Sequence, residues 1–459
     1  MHILDITMIS LSWIVMIIFL NKSKMNQKFM RYFIIFLLVI HMMYIFFNFE
    51  KWQLFPFYVF WLLFFLVIVS NVSKRLHQKI FTWIGTLSLL LSLGLFYAFP
   101  KMNIPDPSGQ YKIGTLTFVI QDEERLEWYT DDPEDKRRFA FTMWYPADEV
   151  DHKDVAKWIG HSEISKELAK GIGLPSFVLN QTSEILSNSY TFASFSNDQD
   201  TYPVVIISHG WGGFMSLHTD LAEELASRGY VVISIDHTYG SVATAFDDDI
   251  VYQNKNALPN RSEDTFLDAA NQLVYTYAGD ILKTLDYLEE ENALNASSSF
   301  KGRLDLDHIG LMGHSTGGGA DVAVALSDDR IKALIGLDAW VEPIDEEEIR
   351  NGLNIPAIFL RSATWEEGLN NANLYELILK SDQARLYQID GTTHSDFSMA
   401  YMFSPLTGTI GYTGSLDKLY LVQMQKDIMN QFFDEHLKGM TNQDIDLSIY
   451  EELKMIEVT

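Results

Sequence analysis

His308-Ile309-Gly310-Leu311-Met312-Gly313-His314-Ser315-Thr316-Gly317-Gly318-Gly319-Ala320 is the stretch on which the reading of this chain turns. A short apolar run, His308–Gly313, meets Gly-x-Ser-x-Gly and passes into a segment of helical character, Gly317–Leu326. A serine held at a sharp strand-to-helix turn is forced into strained dihedrals, and flanking glycines give the adjoining backbone room to approach. Such a turn lifts Oγ above a sheet and sets it near the positive end of the next helix, which favours developing negative charge. An N-cap serine beside a packing turn would share these letters. The strand before, the helix after and the partners downstream favour a nucleophile.

The same alternation recurs on both sides of this stretch. Short apolar runs at Val204–Ser208, Val231–Asp236, Ala333–Asp338, Ala357–Arg361 and Ala384–Ile389 alternate with helical segments near Leu217–Arg228, Thr265–Glu291, Asn371–Leu379 and Leu416–Lys438. Fully apolar strands joined by helical crossovers predict a mostly parallel sheet covered on both faces. Gly114–Ile120 and Phe139–Tyr145 read as an antiparallel start, and Ala147–Thr201 as a less regular insertion. The expected fold class is α/β, of the α/β-hydrolase type, and active sites in such sheets gather at the carboxyl ends of the strands.

A weak nucleophile needs a base, and the base needs an orienter, in the chain order Ser, acid, His. Downstream of Ser315 there are two histidines. His436 falls on the amphipathic C-terminal helix, whereas His394 lies in Gly391-Thr392-Thr393-His394-Ser395-Asp396, beyond the last apolar run. Asp338 ends its strand, in Leu337-Asp338-Ala339-Trp340; Asp390 and Asp396 compete for the acid role but sit close to His394 in sequence. Upstream, Val204–Ser208 leads into Ser208-His209-Gly210-Trp211-Gly212-Gly213. A His-Gly-x-Gly loop of this kind supplies one backbone N–H to an oxyanion, and the residue after the nucleophile supplies the other. Trp211 and Thr316 are the expected donors.

These residues resemble the platelet-activating-factor acetylhydrolases of the plasma and intracellular isoform II type, the lipoprotein-associated phospholipases. The likeness runs through Tyr202–Gly212, Ser227–Val232, Asp236-His237, Asp305–Ile309, Gly313–Ala320, Asp329–Ile331, Leu337–Trp340 and the His394 loop with Asp396-Phe397. It covers roughly residues 111–440. Asp338 follows Ser315 by 23 residues, one strand after the nucleophile, as in that family; in cutinase-like polyesterases the acid comes a strand later. The resemblance implies a calcium-independent esterase without cofactor or metal, with Ser315, Asp338 and His394 as its triad, cleaving short or oxidised acyl chains from lipid or phospholipid esters. A broad carboxylesterase, a lipase or a peptidase on the same triad is the alternative. A non-catalytic membrane sensor is a further one, although such proteins usually lack a triad member. The segments Thr238–Asp264 and Ala147–Thr201 are this chain's own and are expected to line the acyl and headgroup sites.

The first hundred residues differ from the rest. They hold eight Lys/Arg and two acidic residues, a net of +6 against −27 for the whole chain, so residues 101–459 carry −33. An acidic body excludes nucleic acid as a partner, because phosphates need Lys/Arg neutralisation. Ile3–Leu20, Tyr32–Phe49, Leu54–Ser70 and Ile80–Phe99 are apolar stretches near the ~17–25 residues that cross a bilayer. The expected layout is a four-span transmembrane anchor (1–100), a Pro-rich linker (101–110) and a catalytic domain (111–459). Lys22, Lys24, Lys28 and Arg31, then Lys74, Arg75 and Lys79, mark two cytoplasmic loops by the positive-inside rule. That places the catalytic domain outside a multi-pass cell-membrane protein. His41, the ionisable group within the second stretch, is expected to be a neutral imidazole packed between helices. The chain has no cysteine, which excludes disulfides and thiol nucleophiles, and an outward domain without disulfides fits a bacterial source.

Other features carry less. Asp247-Asp248-Asp249 reads as a solvated loop, not a cation site. None of the twelve histidines forms H-E-x-x-H. Asn180, Asn260 and Asn295 open glycosylation-type triplets without consequence in most bacteria. His237 reads as a loop residue.

Overall fold

Two-sidedness is written into the strands. In β5 (Tyr202–Ser208), Val204 and Ile206 join one apolar cluster while Val205 and Ile207 join another. Successive side chains of a strand point to opposite faces, so a run without polar interruption must be covered on both. The computed structural model describes residues 3–20, 27–69, 75–293, 299–440 and 447–458. The chain divides into two units, one built on Met1–Met102 with Phe177–Gln181 and Ser404–Leu406, the other on the remaining residues.

The first unit holds four apolar helices, α1 (Ile3–Leu20), α2 (Gln27–Phe47), α3 (Phe55–Val69) and α4 (Arg75–Ala98). Leu54, Phe57, Phe60, Phe64 and Leu89 are fully buried in its centre. His41 is buried as expected, its Nδ1 2.8 Å from Leu37 O, its Nε2 3.2 Å from Ser12 Oγ and its ring against Trp61. Asp5, also buried, takes hydrogen bonds from Tyr44 Oη and Lys51 Nζ. The expectation of four spans is corrected here. Among the described residues one stretch, Lys79–Ala98, is long and apolar enough to cross a membrane; the other apolar stretches, Leu4–Ile18, Tyr32–Phe47 and Trp52–Val67, are shorter. Lys22, Lys24 and Lys74, on which the orientation argument leans, lie outside the described residues, as does the Asn295 triplet.

The second unit is a mixed α/β fold around an 11-stranded, mostly parallel sheet. In chain order it runs β1 (Lys112–Leu126), β2 (Lys136–Ala147), β3 (Val155–Lys157), α5 (Ser162–Gly171), β4 (Leu186–Thr191), β5, α6 (Thr219–Ser227), β6 (Val231–Asp236) and the hairpin β7 (Ala243–Ala245) and β8 (Ile250–Tyr252). It continues with α7 (Phe266–Ala293), β9 (Leu304–His314), α8 (Thr316–Ser327), β10 (Ile331–Leu337), α9 (Glu346–Asn351), β11 (Ala357–Ser362), α10 (Asn370–Lys380), β12 (Ala384–Ile389), α11 (Lys418–Lys438) and β13 (Leu453–Ile456). The sheet order is β13-β12-β11-β10-β9-β5-β6-β2-β1-β4-β3. Strands β5, β6 and β9–β12 are mutually parallel; β2 is antiparallel to β1 and β6, and β13 closes one edge antiparallel to β12. The expected insertion supplies β3 and β4 to the other edge, which its irregular sequence had hidden.

Helices α7 and α8 pack Leu273, Val274, Ile281 and Val322 on one face of the sheet. Helices α6 and α11 pack Leu221, Leu225, Met424 and Phe433 on the other. Strand order reverses at β5, between β6 and β9, and the carboxyl ends on either side of that reversal form the crevice in which open α/β sheets bind ligands.

Candidate active site

Ser208, His314, Leu337, Ser362 and Ile389 are the last residues of five parallel strands, so the segments that follow them emerge on one edge. Ser315 sits between β9 and α8 with φ 57° and ψ −121°. A non-glycine residue there costs about 1–3 kcal/mol and persists only where its surroundings over-determine it. They do: Ser315 N donates to Leu337 O at 3.0 Å, while Ser315 O accepts from Gly319 N at 3.0 Å and Trp340 N at 2.9 Å. The neighbouring glycines are required by space. A Cβ on Gly317 would lie 2.3 Å from Ser208 O, one on Gly319 2.2 Å from Trp340 O, and one on Gly210 2.8 Å from Ser315 Cβ.

Asp338 and His394 meet across the carboxyl edge. His394 Nδ1 is 2.9 Å from Asp338 Oδ2, with the carboxylate buried and the imidazole keeping 33% of its exposure. The contact fixes the proton on Nδ1 and leaves Nε2 as the ring's accessible acceptor. The other two carboxylates are engaged elsewhere. Asp396 accepts from Thr393 N and pairs with Lys418 at 3.0 Å, and Asp390 accepts from Gln388 Nε2. No hydrogen bond joins Ser315 Oγ to His394 in this structure; contacts of that kind commonly tighten only with substrate bound.

Trp211 and Thr316 present backbone N–H groups that have no hydrogen-bond partner among the described residues. Thr316 N–H is free because it opens a helix, whose first donors lack intrahelical acceptors. The loop carrying Trp211 is held by Gly213 N donating to Gly210 O and Gly212 N donating to Gly240 O.

Three side chains that sequence reasoning did not single out complete the arrangement. Ser362, at the end of β11, holds both oxygens of Asp338: its N–H donates to Oδ1 at 2.7 Å and its Oγ to Oδ2 at 2.6 Å. Trp365 lies parallel to the His394 ring, centroids 4.3 Å apart and planes within 2°. His314 covers the same ring on a centroid distance of 4.4 Å and donates from Nε2 to His394 O at 3.0 Å. Burial, and then the nearby His394, keep the His314 imidazole well below its ordinary pKa and therefore neutral. The only sequence signals for these three were a polar residue at a strand end, an aromatic shortly after it, and the variable position of the serine motif.

Two bystanders singled out in the sequence are engaged with other side chains. Asp248 and Asp249 pair with Arg138, whose guanidinium covers Phe246. His237 is fully buried, its Nδ1 3.0 Å from Asp280 Oδ2 and its ring stacked on Tyr277. Asp280 also receives Arg137 through both Nε and Nη2, tying α7 to the β1–β2 hairpin. Among the described residues no cluster of three or more His, Asp or Glu is arranged to hold a metal ion.

Comparison with known proteins gives the same fold and a family. The structure is similar to a ferulic acid esterase from Streptomyces cinnamoneus with a TM-score of 0.62 and 22% sequence identity, over 78% of this chain and all of that one. Platelet-activating factor acetylhydrolase of Canis lupus familiaris is 26% identical over 398 residues, 80% of this chain and 84% of the relative. Cutinase est1 of Thermobifida alba is 30% identical over 146 residues, 32% of this chain and 38% of the relative. Residues 96–448 match the family model of platelet-activating factor acetylhydrolase, isoform II, and the chain belongs to that family of ester hydrolases.

Proposed function

We propose that the protein is a membrane-tethered serine esterase that cleaves short-acyl lipid or phospholipid esters through an acyl-enzyme. The observation that carries this reading is the Asp338–His394 pair at 2.9 Å on the same sheet edge as a serine at φ 57°. Ser315 Oγ attacks the ester carbonyl while His394 Nε2 takes its proton. Asp338 holds the tautomer and stabilises the imidazolium that forms. The carbonyl oxygen becomes an oxyanion between the N–H groups of Trp211 and Thr316, a contact worth about 3–4 kcal/mol per donor. Collapse of the tetrahedral adduct breaks the bond to the leaving alcohol, which takes the proton back from His394. Water, deprotonated by His394, then attacks the acyl-Ser315 ester and releases the acid. The lipid substrate class comes from the family and from the named activity of the canine and bovine relatives.

A fluorophosphonate probe should label the wild type and not Ser315→Ala, and turnover of 2-acetyl phospholipid should exceed that of a long-chain phospholipid and of a peptide amide. Labelling that survives in Ser315→Ala sinks the nucleophile. Equal turnover of all three substrates moves the reading to a broad carboxylesterase. The tether is supported by the apolar helix at Lys79–Ala98 and by a basic head on an acidic body. It predicts that the full chain stays with membranes in alkaline carbonate and is released by detergent, with the acidic body open to protease from outside the cell. Release by carbonate alone excludes the tether.

A further inference from the structure

Behind the Trp211 loop lies a second acid–hydroxyl–imidazole chain that takes no part in the chemistry above. Asp236, Ser241 and His209 are each fully buried. Ser241 Oγ is 2.9 Å from Asp236 Oδ1 and 2.8 Å from His209 Nε2, and His209 Nδ1 is 2.7 Å from Gly210 O. Asp236 Oδ1 also accepts from Met215 N at 2.9 Å, which anchors the carboxyl to the segment after the loop.

The far end of this chain is the informative one. Gly210 C=O and Trp211 N–H belong to one planar trans peptide, so the two groups point in opposite directions. Donors placed on the carbonyl from the protein interior turn the Trp211 N–H outward and polarise it. There are two such donors, His209 Nδ1 and Gly213 N, the latter at 2.9 Å. Gly210 itself stands beside the nucleophile, since a Cβ on it would lie 2.8 Å from Ser315 Cβ.

A proton count constrains the chain further. The contact to Gly210 O requires a proton on Nδ1, because a carbonyl only accepts. The two contacts of Ser241 need two more protons, and its hydroxyl has one. The remaining proton resides on Asp236 or on His209 Nε2, and in either place the unit is neutral overall, as a fully buried group should be. Burial pushes Asp236 up to about 7 and His209 well below its ordinary value, which favours the neutral pair with the proton on Asp236, and His209 Nε2 also accepts from His237 N at 3.4 Å. The ionisable groups facing the chain are His237 and Tyr277, with ring centroids 5.2 and 5.8 Å from His209, and, farther off, His218 and Asp280.

We propose that Asp236, Ser241 and His209 form a buried, hydrogen-bonded relay that fixes the Gly210–Trp211 peptide and aims its N–H, making Ser241 and His209 positioning residues for the oxyanion. The inference rests on the assignment of Trp211 N–H as an oxyanion donor. Without the Ser241 hydroxyl, His209 Nε2 keeps only the longer contact from His237 N, at 3.4 Å, and the peptide gains freedom to rotate.

The test uses the full chain in detergent with an activated acetate ester and its matched thionoester, whose sulfur anion accepts hydrogen bonds poorly. Ser241→Ala should lower kcat for the ester about tenfold, less than the ~10²–10³-fold of losing a donor outright, with KM within about twofold. The ester-to-thionoester ratio should fall with it, which a general loss of structure would leave unchanged. His209→Asn, which keeps an N–H near the Nδ1 position, should retain more activity than His209→Leu. Unchanged kcat in Ser241→Ala, or ester and thionoester falling equally, overturns the relay. Ser315→Ala in the same assay separates the levels: if it stays active, the serine mechanism itself fails, whereas an inactive Ser315→Ala beside an unaffected Ser241→Ala removes the relay alone.

Discussion

Replacing Gly210 by alanine probes how tightly the loop after β5 and the serine turn are fitted to each other. The added Cβ would stand 2.8 Å from Ser315 Cβ, and 3.4 Å from both His314 Nδ1 and His314 O. Carbon atoms settle at about 3.5–4.0 Å, so the two segments must part by about 0.7 Å or more. Neither has slack. Gly210 O is held by His209 and Gly213, and Ser315 by three backbone hydrogen bonds. Overpacking of this size costs ~1–3 kcal/mol, and a displacement near 1 Å at a reacting centre costs on the order of 10²-fold in rate. Gly210→Ala should therefore lose about two orders of magnitude in kcat toward p-nitrophenyl acetate, while its unfolding midpoint in urea falls modestly. Gly160→Ala is the control, because a Cβ there meets nothing within 4 Å. A Gly210→Ala enzyme with kcat within threefold of wild type would refute the reasoning, since the turn and the loop could then not be in fixed contact.

Ser362→Ala deletes a hydrogen bond to a buried carboxylate, a contact worth ~1.5–3 kcal/mol; it should lower both urea stability and kcat, and a variant unchanged in both would show that Ser362 does not hold the acid. Trp365→Leu removes the ring against which the imidazolium forms, a cation–π contact of ~0.5–2 kcal/mol, so kcat should fall about 2- to 30-fold, with Trp365→Phe keeping most of it. Asp280 is pushed up by burial, but the charge and hydrogen bonds of Arg137 outweigh that and hold it below the usual carboxylate range. A depressed carboxyl stabilises the fold above its unfolded value, ~3.9, and that contribution is lost as pH falls through the folded value. Asp280→Asn should thus cost ~3–5 kcal/mol at pH 7, and the gap to wild type, followed by urea unfolding, should narrow below about pH 4.

What the sequence disclosed was what is local. The serine turn is announced by its own glycines, and Asp338 and His394 by standing just past apolar runs, because strand ends in a parallel sheet share an edge. The contacts between strands were not announced. Ser362 and Trp365 matter through what β11 places beside β10 and β12, and nothing in Arg361-Ser362-Ala363-Thr364-Trp365 records those neighbours. Strands β3 and β13 escaped notice because they are three and four residues long and partly exposed, too short for period-two alternation to rise above its surroundings. In the first hundred residues, apolarity gave the four helices correctly but overstated how many are long enough to span a bilayer.

The clamp that Ser362 places on Asp338 has a consequence for where a carboxylate can be mounted in this sheet. One carboxylate position lies within reach of two strand ends: Asp338 brings the charge from β10, and Ser362 reaches the same spot from β11 with both its amide and its hydroxyl. The carboxylate is therefore defined by a location in space that two strand ends reach, and not by one strand alone. A chain built like this one, with the donor already waiting on β11, stands one exchange of side chains away from the arrangement in which the later strand carries the charge.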